Sequence, residues 1–282
     1  MIQSIRNSED YSMYWLKRLK EWVLDRPLLP GKVIKNRYQI LEFIGMGSFG
    51  MTYLIHDQET KEKKVLKQVK PSRMGTPFGK PSYEYEIRIM NELNHSQMPV
   101  LYDAFAERKK LYLVMNFMEG KTLEDIIFAE NRTYSEREAF QVIAQLIPLL
   151  QYLHNKKIIH RDIRLPNVLE YESKYYLIDF GLARFIGAPL PREGDVPLSE
   201  GRQIRREIHV HSDLYALGHL LLFLLYTTYN ETENKEEKSW EEELTISEPG
   251  RNIIRRFLQL DPPYDNVEQA RQAIENYLNT SN

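Results

Sequence analysis

The 282-residue chain has 38 basic and 40 acidic side chains, and a net charge of −2 gives no electrostatic reason to expect nucleic acid or an anionic membrane as partner. Its 42% hydrophobic and 11% aromatic content, with 18 tyrosines, supplies a sizeable core and excludes a disordered class. Without any cysteine, disulfides, thiolate zinc sites and cysteine nucleophiles are excluded, which fits a reducing compartment.

The longest strongly apolar run, Leu220 to Tyr226, is far shorter than the ~20 residues a membrane span needs. The N-terminus lacks the apolar core of a signal peptide. A cytoplasmic protein without a transmembrane segment is expected.

In chain order, residues 9–24 repeat Tyr11, Tyr14, Trp15, Leu19, Trp22 and Val23 at three- and four-residue steps, predicting an amphipathic helix that packs on the following domain. Its basic face and two tryptophans also suit a partner or a membrane surface. Pro27, Pro30 and Gly31 end it. From Arg37 the period changes to that of strands: "RYQILEFIG", "MTYLIHD" and "KKVLKQVK". Residues 70–82 form a Gly/Pro-punctuated loop before a helix at "YEYEIRIMNEL". A hairpin is predicted around Glu107–Lys110.

After Gly120 the chain turns helical. Thr122 should cap "LEDII", and Ser135 with Glu138 should form a capping box before a helix that Pro148 kinks or splits. "DLYALGHLLLFLLY" is apolar nearly all round and reads as a buried central helix. Residues 230–244 hold seven acids against two lysines, a solvated loop or helix face. His209 and His211 alternate as they would on one face of a strand. Arg202, Arg205 and Arg206 read as a solvated basic face.

The chemistry-bearing residues fall in four places. Gly45, Gly47 and Gly50 lie between two predicted strands, where backbone amides can approach phosphate oxygens without a side chain intervening. Lys67 sits on the third strand and needs a counter-charge. Glu86 shares a helical stripe with Ile89, Met90 and Leu93, whereas Glu84 lies off it, so Glu86 is the expected partner. His160-Arg161-Asp162 is followed by Asn167, and Asp179-Phe180-Gly181 comes twelve residues later.

Together these motifs resemble the protein kinase family, specifically small bacterial protein kinases of the eukaryotic serine/threonine type, over residues 37–280. The resemblance implies an α+β, two-lobed fold with a small β-rich N-lobe (about 37–119) and a larger helical C-lobe (about 120–282), preceded by an N-terminal extension (1–36). It implies ATP and magnesium as cofactors and a protein substrate, whose Ser/Thr hydroxyl would be phosphorylated. Asp162 would accept or orient the hydroxyl proton, and Asn167 and Asp179 would hold the metal. Gly45, Gly47, Gly50, Thr52, Val65 and Lys67 would line the nucleotide. Met115 would stand behind the adenine, the backbone of Asn116 and Met118 would bond its edge, and Leu169 would lie beneath it. Asp213 would hold the catalytic-loop backbone.

The chain departs from the family on the substrate side. Arg164 replaces a lysine two residues after Asp162. Ala-Pro-Glu is missing, with Glu200 a stand-in, and Asp265 occupies the place of that glutamate's arginine partner. The threonine that would precede it is gone, and residues 181–198 contain no Ser, Thr or Tyr. Arg161 would then have Glu193 and Asp195 to pair with, implying competence without activation-loop phosphorylation. A nucleotide-binding pseudokinase scaffold and a small-molecule kinase remain the alternatives.

Overall fold

The computed structural model describes residues 21–47, 50–189, 204–205, 207–229 and 238–280. The chain divides into two compact units, Met1–Asn91 with Val100–Phe117, and Glu92–Pro99 with Met118–Asn282.

In the first unit, β1 (Val33–Ile34), β2 (Tyr38–Met46), β3 (Gly50–Asp57), β4 (Lys63–Val69), β5 (Leu101–Glu107) and β6 (Lys110–Asn116) form one antiparallel sheet in the order β1-β2-β3-β4-β6-β5. Period-two alternation sorts its faces. Met51, Tyr53, Ile55, Leu66, Tyr112 and Val114 are buried on one side with Ile34, Tyr38 and Ile40. Each fully buried aliphatic side chain there contributes about 1.5–3 kcal/mol. Lys64 shares that buried side, neutralised by Asp57 at 2.6 Å, which Arg37 also binds at 2.7 Å. These bonds hold the Asp57 carboxyl far below the usual range, against the opposing effect of burial. The β5–β6 turn uses Arg108 and Lys109 at φ 48° and 62°, the left-handed pair that matches strand twist.

Helix α1 (Lys80–Glu92) carries Tyr83, which joins Leu111 and Leu113 in a second cluster flanked by Met74, Ile87 and Met115.

The segment before Arg37 belongs to this core. Leu28 and Ile34 are buried, and the Leu28 N–H donates to Tyr53 Oη at 3.2 Å. Residues 21–24 are helical, but Trp22 and Val23, expected on the packing face, are 69% and 47% exposed. Arg26 instead covers the Trp22 ring at 5.5 Å. Residues 9–20 of the expected helix lie outside the described residues.

The second unit is mostly helical. β7 (Lys121–Thr122) leads into α2 (Leu123–Phe128), capped by Thr122, and Ser135 and Glu138 form the capping box of α3 (Glu136–Asn155). Pro148 neither splits nor ends α3. It lies on the exposed side, where the carbonyl left without a donor can turn to water. Then follow β8 (Ile158–Ile159), β9 (Val168–Tyr171), β10 (Lys174–Leu177) and β11 (Arg184–Phe185), paired as β10-β9-β7 and β11-β8. Helices α4 (Val210–Tyr226), α5 (Trp240–Glu243), α6 (Glu248–Phe257) and α7 (Val267–Thr280) complete the unit.

Helix α4 is buried nearly all round, from Ser212 to Leu225. His209 and His211 are not on a strand. His209 is extended but caps α4, its Nδ1 accepting from the His211 N–H at 3.3 Å, because the helix starts at the next residue. Residues 230–237 of the acidic stretch lie outside the described residues, and Glu243 accepts from Tyr226 Oη at 2.5 Å. Among the described residues no helix is long and apolar enough to cross a membrane.

Candidate active site

The first unit gathers its candidate residues on one sheet face. Register sets Thr52 opposite Lys67, Leu54 opposite Val65, and Val65 opposite Met115, so Thr52, Val65, Lys67 and Met115 project together from the half-buried side. Gly45 lies opposite Thr52 at the end of β2, and the Gly47 N–H donates to the Gly50 carbonyl at 3.0 Å. Ser48 and Phe49 lie outside the described residues. A Cβ on Gly50 would stand 3.2 Å from Lys67 Cε, whereas Gly45 faces open space. Gly50 therefore makes room for the lysine, and Gly45 leaves room for a ligand.

Lys67 Nζ is 2.7 Å from Glu86 Oε1, with side chains only 14% and 8% exposed. Glu84 is exposed and bonds Lys80 at 3.5 Å, one turn back on the solvent side of α1. Asn116 accepts from the Val100 N–H through Oδ1 at 2.7 Å and donates its own N–H to the Val100 carbonyl at 3.2 Å. Its main-chain donor is thus committed. Met118, assigned to the second unit, is half-buried.

In the second unit the candidates are fixed from below by Asp213, fully buried near the start of α4. Its carboxylate accepts from the main-chain N–H of His160 (2.9 Å) and Arg161 (2.8 Å) and meets His154 Nε2 at 2.9 Å. Burial pushes its pKa up, but the hydrogen bond and charge of His154 and the main-chain donors outweigh it and keep it below the usual range. The two main-chain bonds hold Arg161 at φ 66°, a left-handed conformation that turns the next residue, Asp162, outward.

Asn167 Nδ2 donates to both the carbonyl and Oδ2 of Asp162, each at 2.8 Å. With its nitrogen so committed, the Asn167 amide presents an oxygen. Asp179 also sits in a left-handed conformation (φ 62°), its Oδ1 accepting from the Gly181 N–H at 3.0 Å. The Ile178 N–H donates to the Asn167 carbonyl at 3.0 Å, tying the Asp179 segment to the Asn167 turn. His160 packs edge-on against Phe180 at 4.8 Å, and burial lowers its pKa, so it is a neutral support. Leu169 is buried on β9, and Arg164 Nε stands 3.5 Å from Asp162 Oδ1 with the side chain 58% exposed.

A hard cation suits this donor set. One amide oxygen and one carboxylate are oxygen ligands, and no cluster of three or more His, Cys, Asp or Glu side chains that could hold a metal alone exists among the described residues. Such an ion would complete its shell with water or ligand oxygens.

Two residues escaped the sequence. His154 lies 59 residues from Asp213, at the end of α3, and nothing local marks it. Arg205, which the charge pattern places on a solvated face, is half-buried, 5.9 Å over the Tyr215 ring. Burial pushes its pKa down while Tyr215 and Asp162 oppose that shift. Arg202, Arg206, Glu193, Asp195 and Glu200 lie outside the described residues.

The model of the protein kinase domain matches residues 38–279. The probable serine/threonine-protein kinase YbdM of Bacillus subtilis is 34% identical over 91% of this chain and 95% of its own length. Serine/threonine-protein kinase B of Synechocystis is 29% identical over 86% of the chain, which spans only 47% of that longer protein. Among solved structures, a point mutant of the kinase domain of Mycobacterium tuberculosis PknI overlays with a TM-score of 0.67 at 17% identity, covering 89% of this chain and 99% of that one. The fold is thus the two-lobed kinase fold, and the chain belongs to the protein kinase family, with relatives of the serine/threonine type.

Proposed function

We propose that this protein transfers the γ-phosphoryl group of ATP to a serine or threonine hydroxyl of a protein substrate, using magnesium. The observation that carries the reading is the Asp162–Asn167 contact, which fixes a carboxylate and presents an amide oxygen in one turn. Asp162 orients the substrate hydroxyl and takes up its proton, with Arg164 supplying positive charge nearby. Lys67, braced by Glu86, holds phosphate oxygens, and Gly45, Gly47, Gly50 and Thr52 form the cradle beside it. Val65, Met115, Leu169 and the main chain at Asn116 and Met118 receive the adenine. Asn167 and Asp179 would hold magnesium, which neutralises phosphate charge when bound.

The test is transfer of labelled phosphate from ATP to generic protein substrates, followed by identification of the modified residue. Asp162→Asn should lower turnover by about 10²-fold or more while leaving nucleotide affinity unchanged. Parental turnover in that variant, or phosphate found only on small molecules, would overturn the reading.

Activity without activation-loop phosphorylation is part of the same proposal. Residues 181–198 offer no hydroxyl, and Arg161 Nη1 donates to the Leu182 carbonyl at 3.1 Å, tying the start of the segment without a phosphate. Phosphatase-treated protein should keep its rate; loss of activity would refute this part.

A further inference from the structure

The polar contacts of Asp25 have no part in the chemistry above. Asp25 is 6% exposed, and both of its oxygens are used. Oδ1 accepts from the Ser72 N–H at 2.9 Å and Oδ2 from the Ser72 hydroxyl at 2.6 Å, across 47 residues of sequence. The neighbouring Glu21 reaches Arg73 at 3.4 Å. The stretch before the sheet therefore grips one short turn, Pro71–Arg73, through two hydrogen bonds to a carboxylate and an ion pair.

That turn abuts the start of α1. A Cβ on Gly79, the residue before α1, would lie 2.3 Å from the Arg73 carbonyl oxygen and 2.8 Å from Met74 Cα, so the two backbones touch with no room for a methyl. The Gly79 carbonyl accepts from the Tyr83 N–H at 3.0 Å, opening the helix. Met74 packs in the cluster that holds Tyr83 and Ile87. Glu86 lies between those contacts and the end of the helix, 2.7 Å from Lys67. Moving the Ser72 turn must therefore move α1, since close-packed backbones transmit displacement rather than absorb it.

We infer that Asp25 is a positioning residue for the Lys67–Glu86 pair, and that the N-terminal extension sets the competence of the nucleotide site through the Ser72 turn. This rests on the role proposed for that pair. Opening the grip leaves the Ser72 N–H and hydroxyl without acceptors and frees α1 to rotate Glu86 away from Lys67. A second negative charge at position 72 would open it more strongly than loss of the hydroxyl, because it meets the Asp25 carboxylate directly.

The test measures kcat and KM for ATP, with hydrogen exchange along α1, in the full chain. Asp25→Ala should lower kcat/KM by about tenfold and speed exchange in α1, leaving the amides of β3 and β4 protected. Ser72→Ala, which keeps the main-chain bond and should fold normally, should lose less than Ser72→Glu. In a Glu86→Gln background, Asp25→Ala should add under about a twofold further loss, since both changes break one linkage. If Glu86→Gln lowers activity but Asp25→Ala and Ser72→Glu do not, or if the losses multiply, the inference is wrong and the proposed function stands. If Glu86→Gln itself keeps the parental rate, the role of the pair fails, and this inference fails with it.

Discussion

The two units hold their candidate residues by different physics. In the first, Thr52, Val65, Lys67 and Met115 share a sheet face because the register puts them opposite one another, and the ion pair to Glu86 adds a polar tie. In the second, Asp162 follows the left-handed Arg161, Asp179 is itself left-handed, and Asn167 closes a 3-10 turn, the group held by the buried Asp213 carboxylate and the Asn167 amide. A sheet face tolerates loss of one polar contact because the ladder of backbone bonds remains. A strained turn around a buried charge does not.

The contrast fixes where the largest stability loss should fall. Asp213→Ala strands two buried main-chain donors and releases Arg161 from its left-handed conformation. It should destabilise the protein by about 3–5 kcal/mol in urea unfolding, enough to threaten the fold. Lys67→Met should cost less, about 1–3 kcal/mol, because the methionine keeps the packing of the stem and only one partner of the Glu86 carboxylate is lost. Equal losses in the two variants would erase the distinction.

A finer change on the sheet side is Gly50→Ala. The added methyl meets Lys67 Cε and the Gln68 main-chain carbonyl oxygen, each at 3.2 Å, so both the lysine and the β4 backbone must give by a few tenths of an ångström. ATP affinity should fall severalfold, with a small drop in the urea midpoint. A parental affinity would mean that Lys67 does not need its present position.

The effect of pH belongs to the second unit. Burial, with the Arg205 charge, lowers the pKa of His219 from 6.5 to about 4, and burial also lowers those of His95, His160 and His211. These imidazoles are neutral when folded, whereas the unfolded chain takes up protons below 6.5. Stability should therefore hold above that pH and fall as pH drops toward about 4. His219→Gln should flatten the decline of the urea midpoint across this window; an unchanged slope would assign the loss to other groups.

The same contrast explains what could be read from the chain. Strand alternation and helical stripes are local signals, and they separate Glu86 from Glu84 and bring Lys67 and Val65 to one face. Capping by Thr122 and Ser135 was legible for the same reason. What escaped depends on contacts far apart in sequence. His154 and Asp213 meet across 59 residues, Arg205 is buried by a helix that follows it, and Leu28 and Ile34 join a core built from later strands. Trp22 misled because a periodic apolar pattern cannot show whether a surface is there to receive it.

The most direct measurement is a calorimetric titration of ATP, with and without magnesium, into the parent, Lys67→Met and Asp179→Ala proteins. A division of labour between the two groups requires that Lys67→Met weaken binding under both conditions, while Asp179→Ala abolishes only the gain that magnesium brings to the parent. If magnesium leaves the parental affinity unchanged, or if Asp179→Ala keeps the full magnesium effect, the two groups of residues do not form the nucleotide and metal sites assigned to them.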